Sequence, residues 1–294
     1  MENKPTIAEV QATVPAVRII EELGEGTFKV AFRAEIGGRE EALKLVRIPT
    51  DPGDATVEEI NRRRAYREID ILGKCPSPYL VKLGQLQPED REISGNTYIL
   101  YSEELVAGDS LRKRIRSGYK PDQQELAGIG LALLDVIGRL AGMKVIHRDI
   151  KPENMVATDL PERPFVLLDL GVAFVQGGTR LTLDSRQIQG TLYYLAPEML
   201  DVNFRQSLDY RADLYTMGLT LYEFASGVNP FARRDDAVYT TMYRIKHDRP
   251  QPLSALRPDL DKAMCSLIDQ LIKKLPALRP ANLTGLIKTM ENYR

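Results

Sequence analysis

His147-Arg148-Asp149-Ile150-Lys151-Pro152-Glu153-Asn154 gathers a carboxylate, a cation and an amide within eight residues. Phosphoryl transfer needs such a set: a carboxylate to orient the attacking hydroxyl, a positive charge near the moving phosphate, and an oxygen ligand for a nucleotide-bound metal. Asp149, Lys151 and Asn154 can supply these in that order. Upstream, Leu126, Ile129, Leu133, Ile137 and Leu140 recur at helical spacing, and Val145-Ile146 leads from that helix into the loop. Downstream, the apolar run Phe165-Val166-Leu167-Leu168 has the form of a buried strand that delivers Asp169-Leu170-Gly171 to a turn.

The first part of the chain has a different pattern. Val17-Arg18-Ile19-Ile20, Val30-Ala31-Phe32-Arg33-Ala34, Ala42-Leu43-Lys44-Leu45-Val46 and Thr97-Tyr98-Ile99-Leu100-Tyr101 are short alternating runs that read as strands. One helix interrupts them, opening at Thr56 with Glu59 as a capping box and running to about Leu72. The expected class is therefore α+β: an N-terminal extension over 1–16, a small β-rich lobe with one helix over 17–104, and a larger, mainly helical lobe over 105–294. A ligand is expected in the crevice between such lobes.

Three features of the small lobe bear on a phosphate ligand. In Leu23-Gly24-Glu25-Gly26-Thr27-Phe28-Lys29-Val30, Gly24 and Gly26 let backbone amides approach phosphates with no side chain intervening, although an ordinary glycine hairpin has the same composition. Lys44 sits in a strand whose neighbours Leu43 and Leu45 point to the opposite face. Glu68 lies on the apolar side of its helix with Ile60, Ile71 and Leu72. A carboxylate there needs a cation; Lys44 is the natural partner, and Arg64 one turn away is the alternative.

Taken in order, these motifs resemble those of the eukaryotic-like serine/threonine protein kinases over nearly the whole span from Val17 to Ala281. The resemblance implies the bilobal kinase fold and transfer of the γ-phosphate of ATP, with magnesium, to protein Ser and Thr hydroxyls. It makes Asp149, Lys151, Lys44 and Glu68 the catalytic set, and Gly24, Gly26, Lys29, Lys44, Glu104, Asn154 and Asp169 the nucleotide-binding set. Asn154 and Asp169 become the magnesium ligands. The sequence departs from the family in three places: Lys29 stands where a third glycine is usual, Leu170 replaces an aromatic, and Tyr215 replaces a tryptophan. One group within the family draws its phosphate-binding lysine from the loop rather than the strand. Lys44 is expected to be principal here, with Lys29 assisting or solvated.

Gly190-Thr191-Leu192-Tyr193-Tyr194-Leu195-Ala196-Pro197-Glu198 resembles the segment that closes the kinase activation loop. By that likeness Glu198 pairs with Arg279, Asp213 braces the catalytic loop, and Thr191 and Lys151 approach Asp149, as in Ser/Thr-specific enzymes. Arg148 is the arginine that grips a phosphorylated loop residue, for which Ser185 is the expected site with Thr182 and Thr179 in reserve. Gln187 occupies a position that other kinases phosphorylate. Two alternatives share the fold: a nucleotide-binding scaffold that no longer transfers phosphate, and a small-molecule kinase. The hinge Tyr101-Ser102-Glu103-Glu104-Leu105 leaves the position controlling pocket depth open between Ser102 and Glu103.

Composition narrows the partners. With 40 Lys and Arg against 41 Asp and Glu, the charge gives no reason to expect a nucleic-acid or membrane-surface partner. Asp135 and Arg139 interrupt the most apolar stretch, 129–142, well short of the roughly 20 residues a membrane span requires. Cys75 and Cys265 are too few for a disulfide framework, and with only two histidines a zinc site is not expected. A free-standing, soluble, cytoplasmic enzyme acting on protein substrates is the resulting expectation.

Overall fold

The computed structural model describes residues 4–26, 28–50, 55–170, 174–175, 192–201, 208–233 and 236–294. The chain forms two units, Met1–Lys74 with Val81–Val106, and Cys75–Leu80 with Ala107–Arg294.

In the first unit, helix α1 (Ile7–Thr13) precedes strands β1 (Arg18–Glu25), β2 (Lys29–Ile36) and β3 (Arg39–Arg47). Helix α2 (Ala55–Lys74) and strands β4 (Glu89–Ile93) and β5 (Asn96–Glu104) complete the unit. The strands form one antiparallel sheet in the order β1-β2-β3-β5-β4. Gly37 and Gly38, with φ of 56° and 77°, make the two-residue turn between β2 and β3. Two successive positive φ angles match the right-handed twist of a hairpin, and glycine adopts them without strain.

The period of two gives the sheet distinct faces. Val30, Phe32, Ala34, Leu43, Leu45, Tyr98 and Leu100 bury one face together with Val10 and Val14 of the N-terminal segment. Val46, Ile99 and Tyr101 on the other face pack on Ala65 and Ile69 of α2. Register places Lys29 opposite Val46, Ala31 opposite Lys44, and Lys44 opposite Tyr101, so both lysines share the α2 face. The extension is more ordered than its polar sequence implies. Thr6 and Glu9 cap α1 reciprocally, Val10 is fully buried, and the Gln11 side chain bonds the backbone of Val17 and Ile19. Helix α2 begins at Ala55, one residue before the start read at Thr56, and runs two residues past Leu72 to Lys74.

The second unit contains β6 (Asp109–Ser110), α3 (Leu111–Arg116), α4 (Gln123–Gly142), β7 (Val145–Ile146), β8 (Met155–Ala157), β9 (Phe165–Leu167) and β10 (Phe174–Val175). Helices α5 (Arg211–Ser226), α6 (Val238–His247), α7 (Leu253–Leu256), α8 (Lys262–Leu271) and α9 (Leu283–Glu291) follow. The short strands pair as β6-β8-β9 and as β7-β10. Asp122 caps α4 by accepting from the Glu125 N–H. Helix α5 is buried all round from Ala212 to Ala225, as a central core helix must be, and ends on Gly227 in the left-handed conformation. A Cβ at Gly218 would lie 2.5 Å from the Leu271 Cβ, so this glycine sets the close approach of α5 to α8. Among the described residues no helix is long and apolar enough to cross a membrane.

Candidate active site

In the second unit, residues 147–154 link β7 to β8, and α5 fixes their backbone. The fully buried Asp213 carboxylate accepts one hydrogen bond from the His147 N–H (2.8 Å) and one from the Arg148 N–H (2.9 Å). Those bonds hold Arg148 at φ 70°, a left-handed conformation that is costly for a residue with a side chain. Burial lifts the Asp213 carboxyl to about 6, while the two backbone donors and the Arg148 charge oppose that rise. The brace expected from the sequence is thus drawn by the structure.

Asp149, next along the loop, is 6 % exposed. Lys151 Nζ lies 2.7 and 2.8 Å from its two carboxylate oxygens, and Asn154 Nδ2 donates to Oδ2 at 2.9 Å and to the Asp149 carbonyl at 2.9 Å. Burial pushes the Asp149 carboxyl above its ordinary range; Lys151 opposes the shift and the Asp169 charge adds to it. Asp169 follows β9 with φ 65°, and the Leu168 N–H donates to the Asn154 carbonyl at 2.7 Å, tying this stretch to the loop. The carboxylate, ammonium and amide expected from the sequence are therefore gathered at one place, with Asp169 near enough to influence Asp149.

The donor set suits a magnesium ion. The Asn154 NH2 is committed to Asp149, so its oxygen is the atom it can offer a cation, and Asp169 adds a carboxylate. Among the described residues no group of three or more His, Cys, Asp or Glu side chains forms a cage. A hard cation that takes most of its shell from phosphates and water needs no such cage.

Farther along, Arg279 Nη1 and Nη2 bond the two Glu198 oxygens at 2.6 and 2.7 Å, a bidentate pair. The remaining guanidinium donors reach the carbonyls of Lys273, Lys274 and Arg211. A second buried network was not anticipated. Arg112 of α3 reaches Glu153 at 2.7 Å, Glu223 of α5 at 2.6 Å and the Tyr194 hydroxyl, which itself donates to Glu223. Its members are far apart in sequence, and no local spacing announces them.

In the first unit the ion pairs include two that the sequence did not announce. Sequence reasoning pairs Glu68 with Lys44 or, alternatively, Arg64. In the structure the Glu68 carboxylate lies 3.8 Å from Lys29, and Lys44 Nζ lies 3.2 Å from Glu103 Oε2. Register supplies the reason: Ala42 faces Glu103, so Glu103 occupies the same sheet face as Lys44 and Lys29. Ser102 faces Leu43 on the opposite side, where its hydroxyl donates to Glu41 at 2.5 Å. Of the two hinge residues left open by the sequence, Glu103 is the one that shares the Lys44 face. The signal was present as an acid two residues beyond Tyr101, on the same face of the strand. Glu104 accepts from the Lys82 N–H at 2.9 Å, and Gly24 and Gly26 lie at the end of β1 and just beyond it. Ser185, Thr182, Thr179, Gln187 and Thr191 lie outside the described residues.

Comparison with known proteins agrees with this geometry. Residues 17–290 match the model of the protein kinase domain. A probable serine/threonine-protein kinase of Clostridium acetobutylicum is 26% identical over 281 residues, covering 94% of this chain and 40% of that protein. Serine/threonine-protein kinase pkn3 of Myxococcus xanthus is 31% identical over 273 residues, 88% of this chain and 46% of pkn3. Serine/threonine-protein kinase cds1 of Schizosaccharomyces pombe is 31% identical over 227 residues, 74% of this chain and 46% of cds1. The chain spans less than half the length of these three relatives. With a catalytic loop braced from α5 and a family model matched along nearly all its length, the chain belongs to the protein kinase domain family.

Proposed function

We propose that this protein transfers the γ-phosphoryl group of ATP to Ser and Thr hydroxyls of protein substrates. The observation that carries the reading is the Asp149–Lys151–Asn154 cluster, held together by side-chain bonds and by the Asp213 brace beneath it. Asp149 would accept a hydrogen bond from the substrate hydroxyl and orient it for attack. Its raised carboxyl makes it a better proton acceptor than a solvated aspartate, though positioning remains the larger part of its role. Lys151, already ion-paired to Asp149, would turn its charge toward the transferring phosphate. Magnesium held by Asn154 and Asp169 would neutralise phosphate charge.

Lys44 is the principal phosphate-holding lysine in this reading, with Lys29 assisting and Glu68 positioning them. The backbone at Gly24 and Gly26 would approach the phosphates, and the Glu104 backbone would contact adenine. We take 17–104 and 105–294 as the small and large lobes. Arg148 would grip a phosphate on Ser185 or Thr182 after autophosphorylation, and Thr191 would approach Asp149 beside the substrate hydroxyl. The buried, unbridged thiols of Cys75 and Cys265 fit a reducing compartment, the cytoplasm.

The test is transfer of labelled γ-phosphate from MgATP to a generic protein acceptor and to aminoglycoside and choline acceptors, with modified residues mapped by mass spectrometry. Phosphoserine or phosphothreonine on protein is the expected product. Transfer to the small molecules alone, or nucleotide binding with no transfer, would reject the proposal.

A further inference from the structure

Lys44 is expected to serve phosphate and Glu68, and its ammonium is also engaged by a second acid, Glu103. Glu103 Oε2 lies 3.2 Å from Lys44 Nζ, and the Tyr101 hydroxyl donates to Glu103 Oε1 at 3.2 Å. The Glu103 side chain is 2 % exposed and that of Lys44 is 14 % exposed. All three residues stand on one sheet face, Lys44 directly opposite Tyr101 and Glu103 two residues farther along β5. A carboxylate buried this deeply is held there by its cation and its hydrogen bond, and loss of the cation leaves it without compensation for lost hydration. Glu68 meanwhile faces Lys29 at 3.8 Å. A phosphate that reaches Lys44 therefore meets an ammonium already bonded to Glu103, and the two acids draw on the same charge.

We infer that Glu103 is a positioning residue that competes with the nucleotide for Lys44. Binding of MgATP exchanges a buried carboxylate partner for phosphate oxygens, and the cost of uncovering Glu103 is subtracted from nucleotide affinity. Glu103 thereby sets the nucleotide concentration at which the protein is filled, without touching the reacting atoms. This inference rests on the assignment of Lys44 to the phosphates and is independent of whether phosphate moves on to an acceptor.

Glu103→Gln tests it. The amide keeps the size and can still accept from Tyr101, but it no longer attracts the ammonium. Titration calorimetry with MgATP should give a Kd about tenfold lower than wild type, or about 1.4 kcal/mol. The KM for MgATP should fall alongside, with kcat held. In a Lys44→Met background the same change should leave Kd unaltered, because the gain runs through the lysine. A structural role alone would weaken binding or leave it unchanged, and a gain of equal size without Lys44 would refute the competition. Glu103→Met, which suits an apolar interior, should tighten binding in the same way. The wild-type protein supplies a check that depends on no variant: in its complex with a non-hydrolysable MgATP analogue, Lys44 Nζ should have left Glu103, and a retained 3.2 Å pair would overturn the inference. Failure of phosphoryl transfer with the expected binding changes intact would reject the kinase reading and leave this one standing.

Discussion

Replacing Asp213 by Asn should disable the catalytic loop while leaving the rest of the chain folded. At pH 8 the Asp213 carboxyl, lifted to about 6 by burial, is ionised, so each of its oxygens accepts one backbone N–H, at 2.8 and 2.9 Å. An asparagine offers one acceptor oxygen and sets an NH2 against the second donor. A buried donor left unsatisfied costs roughly 1–3 kcal/mol. The left-handed Arg148 backbone stores about 1–2 kcal/mol, which is released if the loop lets go. Net destabilisation is therefore capped near the first figure, a fall in Tm of about 2–4 °C per kcal/mol. Activity should suffer more than stability, because relaxation at Arg148 moves the adjoining Asp149. A misplacement of about 1 Å costs on the order of 100-fold in rate. The assay is kcat for transfer to protein at saturating MgATP, beside a melting curve and a nucleotide titration. We expect kcat to fall by about two orders of magnitude, with MgATP affinity in the wild-type range. A variant with kcat within twofold of wild type would refute the claim that the two N–H bonds set the loop.

Two further predictions probe the second unit. Arg279→Leu removes a 3 % exposed guanidinium and leaves Glu198 and three carbonyls without it. Loss of one partner of such a pair should cost roughly 3–5 kcal/mol in chemical denaturation, and a change below about 1 kcal/mol would show the pair to be dispensable. Lys274 is half-buried, with Nζ 3.4 Å from the Phe231 ring centroid, and burial lowers its pKa from 10.5 to about 7. Between those values the unfolded chain holds a proton that the folded chain has lost, so Lys274 makes stability rise with pH across that window. Below pH 7 its penalty is constant. Lys274→Met should remove that upward slope, and an identical slope in both proteins would contradict the assignment.

Much of this was readable in the sequence because the relevant signals are local. The period of two in Ala42-Leu43-Lys44-Leu45 placed Lys44 on the opposite face from its apolar neighbours, and the eight residues from His147 to Asn154 brought their own chemistry together. Asp213, Glu198 and Arg279 were legible only through resemblance to a family, since nothing in their spacing predicts that they meet loops tens of residues away. What escaped depends on cross-strand register and on packing. The pairing of Lys44 with Glu103 follows from Ala42 facing Glu103, which requires knowing how β3 lies against β5. Helix α1 escaped because its polar sequence hides one fully buried valine, Val10, that gains its meaning only against β1 and β4. The Arg112–Glu223–Tyr194 network likewise joins three distant segments through side-chain tips.

The central claim is that Asp149 orients the acceptor hydroxyl during phosphoryl transfer. The direct measurement is single-turnover transfer from saturating MgATP by Asp149→Asn against wild type, with nucleotide affinity measured in parallel. The amide preserves size and loses the anionic acceptor. Loss of about 10²–10⁴-fold in rate, with nucleotide binding retained, is the predicted result. Transfer at a near wild-type rate would contradict the account.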